Sequence, residues 1–305
     1  MSLTVMKGVK YTEKRARQWL EQDCAVIAQI KRDEIRCTVE VCIDGTVVYT
    51  SASGKPLYNL GCFDTHWRNV ELQFKQGTYD SGVCVNESFD LTRRTVMASK
   101  KKYDLSGKTE HHILDKKTGS EYKGNLRAFF YLYDLPTLKE SYFDRRILMA
   151  YMHAQFPEIL RCPETWVVMP QVMGDIDGAI KELDSLFEQA TNNMHEGLMV
   201  KRVEFEYKEG RTTDWMKMKP EEEADGVITG YNPGYGKYAG QIGSINVTFE
   251  DGSKCAVSGI SDGMRMDFTR NGAEYIGCAV EIRYMHRDSD GGYRHPRFYR
   301  FHPDK

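Results

Sequence analysis

Long apolar runs are missing from this sequence: no window approaches the roughly 18 consecutive apolar residues that a membrane-spanning helix requires. The opening segment, Met1-Ser2-Leu3-Thr4-Val5-Met6-Lys7, lacks the apolar core of a signal peptide. These absences exclude a helical membrane protein and give the expectation of a cytosolic chain with no membrane partner. Eight cysteines are present, yet there is no Cys-x-x-Cys pair and no Cys/His cluster. Structural zinc and redox chemistry are therefore not expected, and the thiols should be reduced and mostly buried. Internal repeats and low-complexity tracts are also absent. An excess of positive charge is missing too: the net charge is -2 and the pI is near 6.5, so binding to nucleic acid would have to rest on local patches.

What is present fits a globular chain. With 305 residues, 41% of them hydrophobic and 28% charged, the chain can bury two domain cores. Two basic patches stand out. Residues 93–102 hold Arg93, Arg94, Lys100, Lys101 and Lys102 without an acid. Residues 283–305 hold Arg283, Arg287, Arg294, Arg297, Arg300 and Lys305 beside His286, His295 and His302.

The apolar run Cys24 to Ile30 reads as a buried strand that ends abruptly at Lys31, so an amine is carried on rigid structure. Lysine is a useful nucleophile only where neighbouring cations or desolvation lower its pKa from about 10.4. Before this strand, Thr12 to Leu20 reads as a short helix capped by Thr12. After it, Val39, Val41 and Ile43 alternate, followed by Asp44-Gly45, Val47 and Tyr49, which predicts a hairpin on a type I′ turn. Residues 51–123 read as loop-dense, and a strand-like run, Ala128 to Asp134, follows. Helices are expected over Tyr142 to Phe156 and, behind an Asp175 cap, to Asn192, both covering a sheet. If Asp214 to Pro220 is a strand, Lys217 and Lys219 share a face. Beyond an acidic hinge at Pro220 to Ala224, five short strands and a helix near 262–271 suit an OB-fold barrel.

Four of these stretches, taken in order, resemble the covalent nucleotidyltransferase superfamily. They are Lys31-x-Asp33-x-x-Arg36, Tyr133-Asp134, Glu196-Gly-Leu-Met-Val-Lys201 and Lys217-Met-Lys219. Trp215 to Ile228 and Gly292 to Phe298 further resemble the small ATP-dependent DNA ligases of short-tailed bacteriophages. The resemblance implies an α+β nucleotidyltransferase (adenylation) domain over residues 1–221, with mixed and antiparallel sheets and flanking helices, then an all-β OB-fold domain over 222–305. It implies an enzyme that seals 3′-hydroxyl/5′-phosphate nicks in double-stranded DNA, as a monomer, using ATP and Mg²⁺ or Mn²⁺. If phage-encoded, it would act in the host cytoplasm.

Site roles follow from the same resemblance. Lys31 would attack the α-phosphorus of ATP and carry AMP. The nucleotide would be contacted by Asp33, Arg36, Tyr133 (stacked on adenine), Glu196, Lys201, Lys217 and Lys219, with Glu196 also holding the metal. Lys100, Lys101, Lys102, Arg294, Arg297 and Arg300 are the expected DNA contacts. RNA ligases and capping enzymes share these motifs, and a decayed nick-binding protein is the alternative of another class.

Four positions depart from the family pattern. Glu34 replaces a glycine, Ala52 stands where an arginine for the 5′-phosphate is expected, and His302 replaces an arginine. Asp80-Ser81-Gly82-Val83 lacks the glutamate of the family's Asp-Gly-Glu-Leu. Glu34 and Gly82 can compensate only if the chain bends, since regular alternation over about 10 Å would turn Glu34 away from Lys31.

Overall fold

The computed structural model describes residues 3–114, 121–193, 195–284, 287, 291–293 and 295–302. It divides into two compact units, with the boundary between Met218 and Lys219. The first unit runs β1 (Lys7–Lys10), α1 (Glu13–Asp23), β2 (Val26–Ile30), β3 (Ile35–Val41), β4 (Val47–Ser51), α2 (Asp64–Phe74), β5 (Thr78–Val85) and α3 (Phe89–Val96). It continues through β6 (Ser106–Leu114), β7 (Glu121–Asp134), α4 (Tyr142–Gln155), β8 (Leu160–Arg161), β9 (Thr165–Val168), α5 (Ile176–Asn192), β10 (Leu198–Arg202) and β11 (Arg211–Met218).

These strands form two sheets. The first has the order β1-β11-β10-β2-β9, and the second β4-β3-β5-β7-β6 with β8 beside β7. Alternation in β2 decides the layering. Val26, Ala28 and Ile30 join Leu198, Val200 and Met216 beneath Trp19 and Leu20 of α1 and Ile180 and Leu183 of α5. Ile27 points the other way and joins Trp215, Phe130 and Trp67 in the core shared with the second sheet. The first sheet therefore has helices on one face and the second sheet on the other.

Several local expectations are corrected. Helix α1 continues to Asp23, since Glu21 and Gln22 favour helix, and Cys24 ends it in the left-handed region at φ 58°. The strand consequently starts at Val26 and not at Cys24. Thr12 occupies the N-cap, but its side chain makes no cap bond. The β3–β4 hairpin does not use a type I′ turn, which needs two residues with positive φ. Gly45 alone among residues 42–46 is left-handed, and the wider loop is closed by Cys42 N–H donating to Thr46 O at 2.8 Å. Within residues 51–123, α2, β5, α3, β6 and the start of β7 stand where a loop-dense stretch was expected. In β5, Asp80, Ser81 and Gly82 interrupt the apolar pattern although every residue from Tyr79 to Val85 is buried. All eight cysteines are free thiols, but only Cys37 and Cys84 are fully buried, with Cys24 and Cys62 exposed.

The second unit contains β12 (Glu222–Pro233), β13 (Ile242–Phe249), β14 (Lys254–Val257), α6 (Asp262–Tyr275), β15 (Ala279–Tyr284) and β16 (Arg297–Phe301). Its sheet order is β14-β13-β12-β15-β16. The two outer strands meet through a parallel bridge between Ser258 and Arg297, supported by Phe298 N–H donating to Ser258 O at 2.8 Å. Closure removes the sheet edges, as expected of a small OB-fold barrel. Phe268 of α6 packs into its core. No helix among the described residues is long and apolar enough to cross a membrane.

A lysine side chain lies in the packing between the two sheets of the first unit. Lys201 is 1% exposed, donates to Tyr142 Oη at 2.5 Å and to Tyr133 O at 3.3 Å, and lies 4.1 Å from the Trp215 ring. Burial pulls its pKa down to about 7. The unfolded chain then binds more protons than the folded one between pH 7 and the normal lysine value, so this group makes stability rise with pH across that window. Replacing Lys201 with Met should flatten the rise, by up to about 1.4 kcal/mol per pH unit, in denaturant titrations at pH 7 to 9. Parallel profiles for the two proteins would contradict the assignment.

Candidate active site

Strand register brings the central pair together. β2 and β10 are antiparallel neighbours whose ladder ends at Ile30 opposite Leu198. One step further, Lys31 N–H donates to Gly197 O at 2.8 Å. The Lys31 ammonium therefore meets the carboxylate of Glu196 in an ion pair, with side chains 18% and 5% exposed. Residues 31–34 are a loop, and it is the link by which the chain leaves the first sheet and enters the second at β3.

Lys217 lies on β11, opposite Met199 of β10 and next along one face from buried Trp215. It therefore belongs to the face of the first sheet that looks toward the second. The strand ends at Met218, so Lys219 follows it as the first residue of the other unit.

The second sheet contributes a polar cluster. Arg36 on β3 makes a bidentate pair with buried Asp80 of β5 and donates to Met6 O at 3.2 Å. Tyr207 Oη donates to the same carboxylate at 2.8 Å. The Arg36 guanidinium also lies 5.0 Å from the Tyr133 ring and 5.4 Å from the Trp215 ring, tying the two sheets together. Tyr133 Oη donates to Glu34, whose other oxygen accepts from Arg32 Nε at 2.6 Å. Burial raises the Glu34 carboxyl to about 7, against the lowering by Tyr133 and Arg32. Burial and the adjacent Glu34 also hold the Tyr133 phenol well above its ordinary value. Arg32 bridges onward to Glu87 and lies 4.0 Å over the Tyr131 ring.

Asp33 is half-buried in the Lys31 loop. Asp134 is fully buried and engaged by Arg145, which also donates to Phe205 O at 2.9 Å. Its carboxylate anchors the interior, and breaking such a pair costs about 3–5 kcal/mol. Among the described residues no group of three or more His, Cys, Asp or Glu could hold a metal ion. A divalent cation here would fit the sparse donor set of Mg²⁺, which keeps waters and substrate phosphates around one or two carboxylates. Glu196 supplies one such carboxylate.

Lys100, Lys101 and Lys102 are exposed on one loop. Buried Asn59 clasps that loop, donating to Thr95 O at 2.9 Å and Lys100 O at 3.2 Å and accepting from the N–H groups of Lys102 at 2.6 Å and Tyr103 at 2.8 Å. Ala52 lies in the turn after β4. In the second unit Arg297 pairs with Glu221 at 3.0 Å, Arg300 with Glu281 at 2.6 Å and His302 with Asp225 at 3.4 Å. Arg294, His286 and Lys305 lie outside the described residues. The clasp by Asn59 is not legible in the sequence, since a lone asparagine in a polar stretch carries no pattern; in the structure both its donors and its acceptor are used in a buried position.

Comparison with known proteins places this geometry in a family. The model of the ATP dependent DNA ligase domain matches residues 7–219, and that of the DNA ligase OB-like domain matches residues 233–302. The DNA ligase of Enterobacteria phage T3 is 28% identical over 97% of this chain and 94% of its own length. That of Escherichia phage T7 is 27% identical over the same shares. Among solved structures, the ATP-dependent DNA ligase from bacteriophage T7 in complex with ATP superposes with a TM-score of 0.58 at 25% identity, covering 98% of both chains. A Lig E DNA ligase shares the fold with a TM-score of 0.68 at 18% identity, over 99% of this chain and 100% of the other. The domain match takes in both sheets of the first unit together with Lys31, Glu196 and Lys217, and on that footing the chain belongs to the ATP-dependent DNA ligases.

Proposed function

We propose that this ligase seals nicked double-stranded DNA, as a monomer, through an AMP adduct on Lys31. The observation that carries the reading is the meeting of the Lys31 amine with the Glu196 carboxylate at the link between the sheets. The amine nitrogen of Lys31 bonds to the α-phosphorus of ATP, the bond to the departing pyrophosphate breaks, and the amine loses a proton. AMP next passes to the 5′-phosphate of the nick, releasing Lys31. The 3′-hydroxyl then attacks that phosphate, forming the phosphodiester and freeing AMP.

Each step gathers negative charge on phosphate oxygens, and fixed positive groups aimed at that charge lower the barrier. The strand face on which Lys217 lies supports this role for it, and the resemblance implies the same role for Lys219. Glu196 would hold Mg²⁺ or Mn²⁺, whose charge offsets that of the triphosphate. Tyr133 and Arg36 would form the wall against which the nucleoside rests, with Lys201 supporting Tyr133 from beneath through its carbonyl. Asp33 would assist from the Lys31 loop.

In a sealing assay on a nicked duplex, Lys31→Ala should keep its fold but lose sealing altogether, and Lys217→Ala should slow it by about 10²- to 10³-fold. Sealing that survives in folded Lys31→Ala would place the nucleophile elsewhere.

The Lys100 to Lys102 loop is proposed to contact the DNA backbone. Neutralising phosphates releases counterions, so binding weakens as salt rises, with a log-log slope of about -0.9 for each phosphate neutralised. Replacing Lys100, Lys101 and Lys102 together by Ala should flatten the slope measured on a nicked duplex by up to about 0.9 for each phosphate that is no longer neutralised. An unchanged slope would return this loop to ordinary surface.

A further inference from the structure

Gly82 lies in the buried interior of β5, between Arg36 on β3 and Tyr131 on β7. Its φ is outside the left-handed region, so backbone freedom does not explain a glycine there. Space does. A Cβ at this position would come within 2.2 Å of Glu34 Oε2 and 2.4 Å of Tyr133 Oη, far inside contact distance. The carboxylate of Glu34 and the phenol of Tyr133 thus meet over the spot that Gly82 leaves open.

The partner arrives from the loop that carries Lys31. Three residues after the amine, the chain has turned out of the first sheet, and the Glu34 side chain is 1% exposed. Both of its oxygens are used, one by Tyr133 and one by Arg32. Arg32 is held in turn by Glu87 and by the Tyr131 ring. Burying a carboxylate is unfavourable unless it is fully bonded, and here the bonds fix two things at once. They lock the far end of the Lys31 loop onto the second sheet, and they set the phenol of Tyr133.

We propose that Glu34 and Gly82 act as one unit, in which Glu34, seated over Gly82, is a positioning residue that holds Tyr133 and the Lys31 loop in the geometry that receives ATP. This deepens the reading of Lys31 as nucleophile and rests on it. Glu34 touches no reacting atom in this scheme. Its loss should therefore weaken the capture of ATP more than it slows the chemistry on bound ATP.

The test is the ATP dependence of Lys31 adduct formation, followed by mass spectrometry, in Glu34→Gly, Gly82→Glu and the double variant. Glu34→Gly should raise the KM for ATP at least tenfold while kcat falls less than threefold. Gly82→Glu alone should raise it further, because its Cβ enters occupied space. In the double variant the volume of Glu34 is empty, so only the Tyr133 phenol, 2.4 Å from the new Cβ, must shift, and the new side chain returns a carboxylate near it; KM should recover at least tenfold relative to Gly82→Glu. If Gly82→Glu does not fold, Gly82→Ala is compared with and without Glu34→Gly. The alanine should then raise KM more in the parent, where its Cβ meets both Glu34 and Tyr133, than where Glu34 is gone and only the Tyr133 phenol must give way. A KM for Glu34→Gly within twofold of the parent would overturn the proposal, as would position-82 effects that are the same in both backgrounds. An adduct in the parent with either of those results would leave the Lys31 reading standing, whereas no adduct in the parent at saturating ATP would remove that reading itself.

Discussion

The antiparallel register between β2 and β10 is the constraint on which the site depends. Because the ladder closes at Ile30 opposite Leu198, Lys31 is set opposite Gly197, and its ammonium is delivered to Glu196, one residue beyond. A slip of one residue would turn Lys31 into the helix-covered core and bring Val26, Ala28 and Ile30 out of it. The apolar packing of α1 and α5 therefore holds the amine in place as firmly as any hydrogen bond does. Both partners are largely shielded from water, which makes each charge costly without the other.

The second sheet fixes its half of the site by a different means. Arg36, Asp80 and Tyr207 form a closed set of charge-assisted bonds, and Glu34, Tyr133 and Arg32 form another. Such networks set side-chain geometry sharply because an unpaired member would be left buried and unsatisfied. The loop 31–34 is anchored at one end by strand register and at the other by the Glu34 network, so a short connector becomes a rigid platform.

Much of the layering was legible in the sequence. The apolar run ending at Ile30, the helical spacing of Ile180, Leu183 and Leu186, and the short strands after Pro220 all encode local burial, which is what such patterns report, whereas the split of the run between two faces came from the structure. The strand containing Gly82 was not legible, because Asp80 and Ser81 are buried polar residues whose partners, Arg36 and the Cys37 carbonyl, lie on a different strand. Nor could the sequence reveal where Glu34 points. Regular alternation turned it away from the site, whereas the chain leaves one sheet for the other between Lys31 and Ile35 and rotates the carboxylate over Gly82. The cysteines illustrate the opposite limit: residue type alone suggested burial, yet Cys24 caps a helix at the surface.

The claim that Lys31 carries the nucleotide is tested most directly by incubating the unmodified protein with ATP and Mg²⁺, digesting it under conditions that preserve phosphoramidates, and locating the adduct by peptide sequencing in the mass spectrometer. AMP attached to the peptide containing Lys31, removed on addition of nicked DNA, is the result expected. AMP on another residue, or a protein that seals nicks without ever carrying AMP, would contradict it.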